Sequence, residues 1–285
     1  MSSDQYTIER TVSLVGSGLF TGRKVRLSLI PAPVNAGIFF RRQDLPKAPP
    51  IPAHYAWVSS TFRSTSLAKQ GASVLMVEHL LSALKAIGID NLEILVDGPE
   101  IPSGDGSALL FVEALEKAGI VSQPACKNRR RLLRPVYYAQ GDTRLVALPA
   151  KDLHIHYTLD YPGVPLLSSQ YYAFSLTPEA YLQEIAPART FALQEEIEAL
   201  QKKGLLQNAS LDQGISIEKG SVLNPGGLRF PEEMARHKIL DLIGDLSLTG
   251  VDFGADIFAI RSGHAAHIAF CPHLVEAMEP SACPV

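Results

Sequence analysis

The stretch RHKILDLIGD carries His237, Asp241 and Asp245 at successive i,i+4 steps, so a helix there presents one imidazole and two carboxylates along a single face. An apolar helix normally fills such a stripe with leucine or isoleucine. One imidazole and one carboxylate a turn apart can hold a metal ion, leaving the further acid to orient a neighbour. The plainer alternative is a solvated face. A second pair, Glu78-His79, interrupts the apolar run VLMVEHLLSALKAIG, where an unpaired buried carboxylate is costly and a partner is required. His79, His237 and Asp241 together make a set of two imidazoles and one carboxylate, the three-ligand pattern of catalytic zinc sites that leaves one position for water. Glu78, adjacent in sequence but pointing elsewhere, has the chemistry to take the proton of an attacking water. The arrangement is not HExxH. Taken singly, this helix is equally served by Glu78 paired to a buried base and His79 hydrogen-bonded in the core. His264 follows DIFAIR in the loop SGHAA, where side chains are often displayed without being buried. Held by Asp245, it could stay protonated and act as a general acid or as a clamp on a tetrahedral intermediate. His267 and His273 nearby have no partner that the sequence identifies.

These residues need elements that bring them together. Ser73 precedes the apolar run 74–88, which reads as a buried helix with Ser73 as N-cap and Gly88 as terminus. The strand LEILV, the loop GPEIPSGDGSA and the amphipathic helix LLFVEALEKAG follow. The second half repeats the order: strands near 132–160, a helix from Pro231 to about Leu248, the strand DIFAIR, and a terminal helix ending near Met278. Met76 and His79 match Met234 and His237, Ser103-Gly104 matches Ser262-Gly263, and Val112-Glu113-Ala114 matches Val275-Glu276-Ala277, all at an offset of about 160 residues. That regularity predicts a duplicated unit with His79 and His237 facing each other across a pseudo-twofold. The domains read as 1–125 and 126–285, both α+β, the second carrying an insertion near 178–223. Within it Leu193, Ile197 and Leu200 make one apolar stripe, fitting either a surface helix or a substrate-covering flap.

The composition fits this. A chain of 285 residues with 46% hydrophobic content buries a substantial core, and a formal charge of −3 with a single basic run at Arg129–Arg131 gives no nucleic-acid footprint. No run reaches the roughly 20 apolar residues of a transmembrane span, and the polar start lacks a signal segment, so a cytoplasmic location is expected. Cys126, Cys271 and Cys283 are odd in number and lack CxxC spacing, which argues against a disulfide framework or a thiolate zinc site. A metallohydrolase acting on esters or on N-acyl sugars would use the same groups, since either reaction is attack of water on a carbonyl. A structural zinc clip would need a fourth closed ligand, and none is obvious.

The segments VEHLLSAL, GIDN, EIPSGDGSA, ARTF, LNPGGLRFPEEMARHKILDLIGDL and SGHA resemble, in order and spacing, the UDP-3-O-acyl-N-acetylglucosamine deacetylases of lipid A synthesis. The resemblance runs over nearly the whole chain. It implies two similar two-layer α/β sandwich domains packed together, with the insertion enclosing an acyl chain. It implies a Zn2+ ion, or Fe2+, on His79, His237 and Asp241, with Glu78 as general base, His264 as partner acid or oxyanion stabiliser and Asp245 as its orienting group. Thr190 would assist at the oxyanion, Phe191 and Lys238 would contact substrate, and Tyr161 would stack on the uracil of a UDP-linked acylated glucosamine. Two departures stand out: Phe20 where the family commonly has histidine, and Thr143 where a lysine is frequent.

Overall fold

Inward-facing Val25, Leu27 and Leu29 on strand Lys24–Pro31, and Leu92, Ile94 and Val96 on strand Leu92–Val96, give both strands one apolar face that needs a covering layer. In the computed structural model, which describes residues 4–206 and 210–281, that layer is helical. Strands Val12–Ser17, Lys24–Pro31, Leu92–Val96, Ile38–Arg42 and Ile51–Pro52 form a sheet in that spatial order. The second half repeats it strand for strand with Val136–Gln140, Thr143–Pro149, Asp252–Ile260, Leu153–Leu159 and Gln170–Ser175. In each sheet the central strand runs antiparallel to one neighbour and parallel to the other. The fold is α+β, and the shared strand order is what a duplicated unit predicts.

The helices are α1 (Glu78–Ile87), α2 (Leu109–Ala118), α3 (Pro178–Ala180, continued by a wider turn over Tyr181–Ile185), α4 (Gln194–Lys202), α5 (Glu233–Ser247) and α6 (His264–Glu276). α1 starts later than the apolar run suggested. Ser73 lies inside strand Ala72–Val74 and caps nothing, Met76 turns the chain at φ +60°, and Val77 is the N-cap. Val74, Met76 and Val77 are buried and Leu75 half-buried in extended and turning backbone, and a short apolar run does not distinguish strand from helix. At the other end Gly88 closes α1 in the left-handed region, its N–H returning to the Leu84 carbonyl. His264 also departs from expectation: it is the first residue of α6 and is buried, because the extended Gly263 caps that helix directly before it. Of the cysteines, Cys271 is free and buried, Cys126 is disulfide-bonded against the sequence expectation, and Cys283 lies outside the described residues. No helix among the described residues is long and apolar enough to cross a membrane.

α1 and α5 pack directly on each other. Their closest approach is at Gly244, where an added Cβ would stand 2.1 Å from the Glu78 carbonyl oxygen. Neither side of that contact is a flexible side chain, so the helices would have to separate. Gly244→Ala gains about 1 kcal/mol of helix propensity, but inserting a methyl against backbone costs about 1–3 kcal/mol or more, and the clash should win. The expected result is a lower Tm and impaired activity, since Glu78 and His79 ride on α1. A Tm equal to or above that of the parent protein would show that the helices yield freely.

In the insertion, strand Phe191–Leu193 pairs parallel with Ile215–Glu218, which pairs antiparallel with Ser221–Val222, and α4 packs beside them. Leu200 is buried, whereas Leu193 and Ile197 are half-buried along the wall of the main cavity.

Candidate active site

Three helices supply the site. The N-terminus of α1 brings Glu78 and His79, one face of α5 brings His237, Lys238, Asp241 and Asp245, and the first turn of α6 brings His264 and His267. All but Lys238 are at most 8% exposed. The imidazoles of His79 and His237 stand edge to face, centroids 5.0 Å apart, and their Nε2 atoms lie 3.6 and 3.4 Å from Asp241 Oδ1. Atoms held about 2.0–2.1 Å from a zinc ion at tetrahedral angles lie roughly 3.4 Å from each other, so these edges fit a shared divalent ion and are too long for good hydrogen bonds.

The charge states agree with that fit. Burial is the largest influence on His237 and pushes it down to about 4, so its ring is neutral near pH 7. Its Nδ1 donates to the Ala188 carbonyl at 3.0 Å, which turns the Nε2 lone pair toward Asp241 and His79. His79 Nδ1 is buried with no hydrogen-bond partner among the described residues, so the polar contact of its ring is the one Nε2 makes toward Asp241. Burial opposes the charge of Asp241, yet Lys238, then His237 and His264, hold the carboxyl well below its usual range. Lys238 Nζ donates to Asp241 Oδ2 at 2.8 Å, so one oxygen is committed to the lysine and Oδ1 remains for a metal.

Around this set lie the proton-handling groups. Burial lifts Glu78 to about 6, with His264 and His79 pulling back, so the carboxyl is mostly ionised at neutral pH. Its Oε2 accepts the Thr65 backbone N–H at 3.0 Å. Burial also disfavours a charged His264, but Asp245 and Asp241 override it and lift the ring to about 9. The His264 Nδ1 donates to Asp245 Oδ2 at 2.8 Å, and its Nε2 sits 3.9 Å from both Glu78 Oε1 and Asp241 Oδ2. A cationic ring with its Nδ1 engaged is a poor ligand. Glu78, Asp241 and His264, and likewise Asp245, His264 and His267, lie close enough to hold a cation, but the His79, His237 and Asp241 set fits one better.

The set opens into a cavity of about 630 Å³ whose wall includes Leu193, Ile197 and Leu200 as well as Phe20, Tyr161, Thr190 and Phe191. Thr190 is fixed through its backbone, its N–H donating to Gly106 O at 2.8 Å and its carbonyl accepting from Ile215 N at 2.7 Å. Phe191 stands edge-on to both Tyr161 and His237, and Lys238 Nζ lies 5.9 Å from its centroid. Phe20, at the departure noted in the sequence, lines the cavity, and its N–H donates to the buried Glu100 at 2.8 Å. Thr143 Oγ1 donates to the Arg261 carbonyl at 2.8 Å. Sequence reasoning passed over the ion pair of Arg63 and Glu196, 2.9 Å apart, which joins a loop of the first half to α4 across the cavity wall. It also left His267 without a partner, although the i,i+3 spacing from His264 puts both rings over the same turn of α6.

Comparison with known proteins agrees in extent and in name. A family model for UDP-3-O-acyl N-acetylglycosamine deacetylase matches residues 5–276. The UDP-3-O-acyl-N-acetylglucosamine deacetylase of Chlamydia pneumoniae is 44% identical over 276 residues, covering 96% of this chain and 98% of that protein. That of Chlamydia felis is 42% identical over 276 residues, covering 97% and 98%.

Proposed function

The chain belongs to the UDP-3-O-acyl-N-acetylglucosamine deacetylase family, hydrolytic enzymes of lipid A biosynthesis, and from that premise we propose how its own residues carry out the reaction. The substrate is UDP-3-O-acyl-N-acetylglucosamine, and the products are acetate and the free amine. The observation that carries the reading is the convergence of His79 Nε2, His237 Nε2 and Asp241 Oδ1 beside Glu78 and His264, whose Oε1 and Nε2 lie 3.9 Å apart. His79, His237 and Asp241 would hold Zn2+, or Fe2+, for which the same donor set is suited. When bound, the ion supplies Lewis acidity toward the acetamide carbonyl and makes water easier to deprotonate. The enzyme works in the cytoplasm, and its units divide at 1–125 and 126–285, meeting along α1 and α5.

Glu78 takes the proton of the attacking water. His264, cationic and aimed at the same space, stabilises the oxyanion together with the Thr190 hydroxyl, and Asp245 keeps its Nδ1 protonated and its ring oriented. The departing amine receives a proton either from Glu78, returning the one it took, or from His264. Lys238 contributes by keeping Asp241 ionised, and with Phe191 it borders the position of the sugar.

Recognition divides between the polar end, where Tyr161 stacks on uracil, and the apolar wall of Leu193, Ile197 and Leu200, which takes the acyl chain. Deacetylation assays with truncated substrates test this: removing the uridine diphosphate or shortening the acyl chain to acetyl should each lower kcat/KM at least tenfold. An unchanged kcat/KM for either truncation would remove that half of the assignment. The reading as a whole fails if the purified, zinc-loaded protein releases no acetate from the full substrate.

A further inference from the structure

Asp245 is fully buried, and both of its oxygens are engaged. Oδ1 accepts from Thr65 Oγ1 at 2.5 Å, and Oδ2 accepts from two imidazoles, His264 Nδ1 at 2.8 Å and His267 Nδ1 at 2.7 Å. The two rings stand nearly perpendicular with centroids 6.1 Å apart. Only His264 borders the cavity, whereas His267 has 0% exposure and no route to a substrate. His267 Nε2 lies 2.9 Å from Ser262 Oγ, and Ser262 in turn is tied to the buried Tyr157, whose hydroxyl donates to the Ser262 carbonyl at 2.5 Å.

We infer that His267 is a positioning residue for the deacetylation: in its neutral, Nδ1-protonated form it donates the second hydrogen bond to Asp245 Oδ2 and so fixes the carboxylate plane that aims His264. The Asp245 carboxylate can only accept, so His267 carries its proton on Nδ1, and the neutral ring leaves Nε2 to accept from Ser262 Oγ–H at 2.9 Å, a closer contact than that hydroxyl's other one, Tyr157 Oη at 3.4 Å. Without His267, Asp245 would be held by Thr65 on one oxygen and by His264 alone on the other, so a change in its last torsion would carry the His264 ring with it. With Thr65 on one oxygen and two perpendicular rings on the other, Asp245 has no such freedom. The consequence falls on His264 Nε2, which sits 3.9 Å from Glu78 Oε1 and Asp241 Oδ2, a spacing at which a shift of about 1 Å alters which group the proton is offered to. A merely space-filling His267 would leave the Nδ1 donor without consequence.

The inference rests on the deacetylase reading, so its test has one arm that needs activity and one that does not. In the zinc-loaded protein acting on UDP-3-O-acyl-N-acetylglucosamine, His267→Ala should lower kcat about tenfold or more, with KM within about twofold and zinc content unchanged. His267→Asn, which keeps an N–H near the Nδ1 position, should recover most of that loss, whereas His267→Leu, which fills the space without a donor, should not. Wild-type kcat in His267→Ala, or recovery by leucine equal to that by asparagine, overturns the proposal. Independently of turnover, 15N NMR of histidine-labelled protein should show the His267 ring neutral with its proton on Nδ1, and an Nε2-protonated ring overturns it even if the variants fail to fold. An inactive wild-type protein that shows this tautomer removes the deacetylase reading while leaving the Asp245 contact standing.

Discussion

Glu78→Gln is expected to leave the protein folded and its metal content intact while kcat falls on the order of 10²–10⁴-fold, the range that general acid-base catalysis supplies. Glutamine has the size of glutamate, and its amide oxygen can still accept the Thr65 N–H, so the N-terminus of α1 keeps its anchor. What it cannot do is take a proton from water. The pH dependence separates this loss from a packing defect. Burial raises the Glu78 carboxyl to about 6, so in the parent enzyme kcat/KM should climb as pH rises through that region and the group ionises. A divalent ion beside it moves the limb to lower pH, without changing its sign. At the alkaline end the rate should fall as His264, held near 9 by Asp245 and Asp241 against its burial, gives up its proton. Glu78→Gln should lose the acidic limb and keep the alkaline one. An unchanged acidic limb, or a kcat within about threefold of the parent, would take the role of base away from Glu78.

The His237, Asp241 and Asp245 stripe was legible because helical periodicity fixes which side chains share a face, and three ionisable groups along one face of a helix rich in leucine and isoleucine need an explanation beyond packing. His79 facing His237 was legible for another reason: matched residues at a constant offset predict equivalent helices, and equivalent helices about a pseudo-twofold meet at equivalent points. The start of α1 was not legible. Residues 74–77 are all apolar although Leu75 is only half-buried between the buried Val74 and Met76, and an unbroken apolar run carries no alternation that would mark a strand. His264 was expected in a displayed loop, since Ser and Gly before it signal a turn. Gly263 is instead extended and caps α6, which begins at His264 and tucks the ring against Asp245. The Arg63–Glu196 pair joins positions distant in sequence through the insertion, and no local pattern encodes such a contact.

His237→Ala should bring the metal content from one ion per chain to near zero and lower kcat on the order of a thousandfold or more, because the several kcal/mol of charge stabilisation that a divalent ion supplies go with it. His237 is the sharpest probe of the three donors. Its Nδ1 hydrogen bond to the Ala188 carbonyl orients the ring, so the loss reads ligation by Nε2. Its own proton does not compete, since burial keeps the ring neutral down to about pH 4. His79→Ala should behave alike, and chelation of the parent protein should reproduce the loss of activity, reversed by added Zn2+. The Tm decides between a catalytic ion and a clip that fastens the halves. α1 and α5 are packed through Leu, Ile and Gly contacts that need no metal, and in the stripped protein Asp241 still has Lys238 at 2.8 Å to neutralise it. Chelation should therefore abolish turnover with only a modest change in Tm, whereas a structural ion would carry a large part of the folding free energy and its removal would unfold the chain. Turnover that survived thorough chelation, or a His237→Ala protein holding a full equivalent of metal, would leave the two imidazoles and the Asp241 carboxylate without their function.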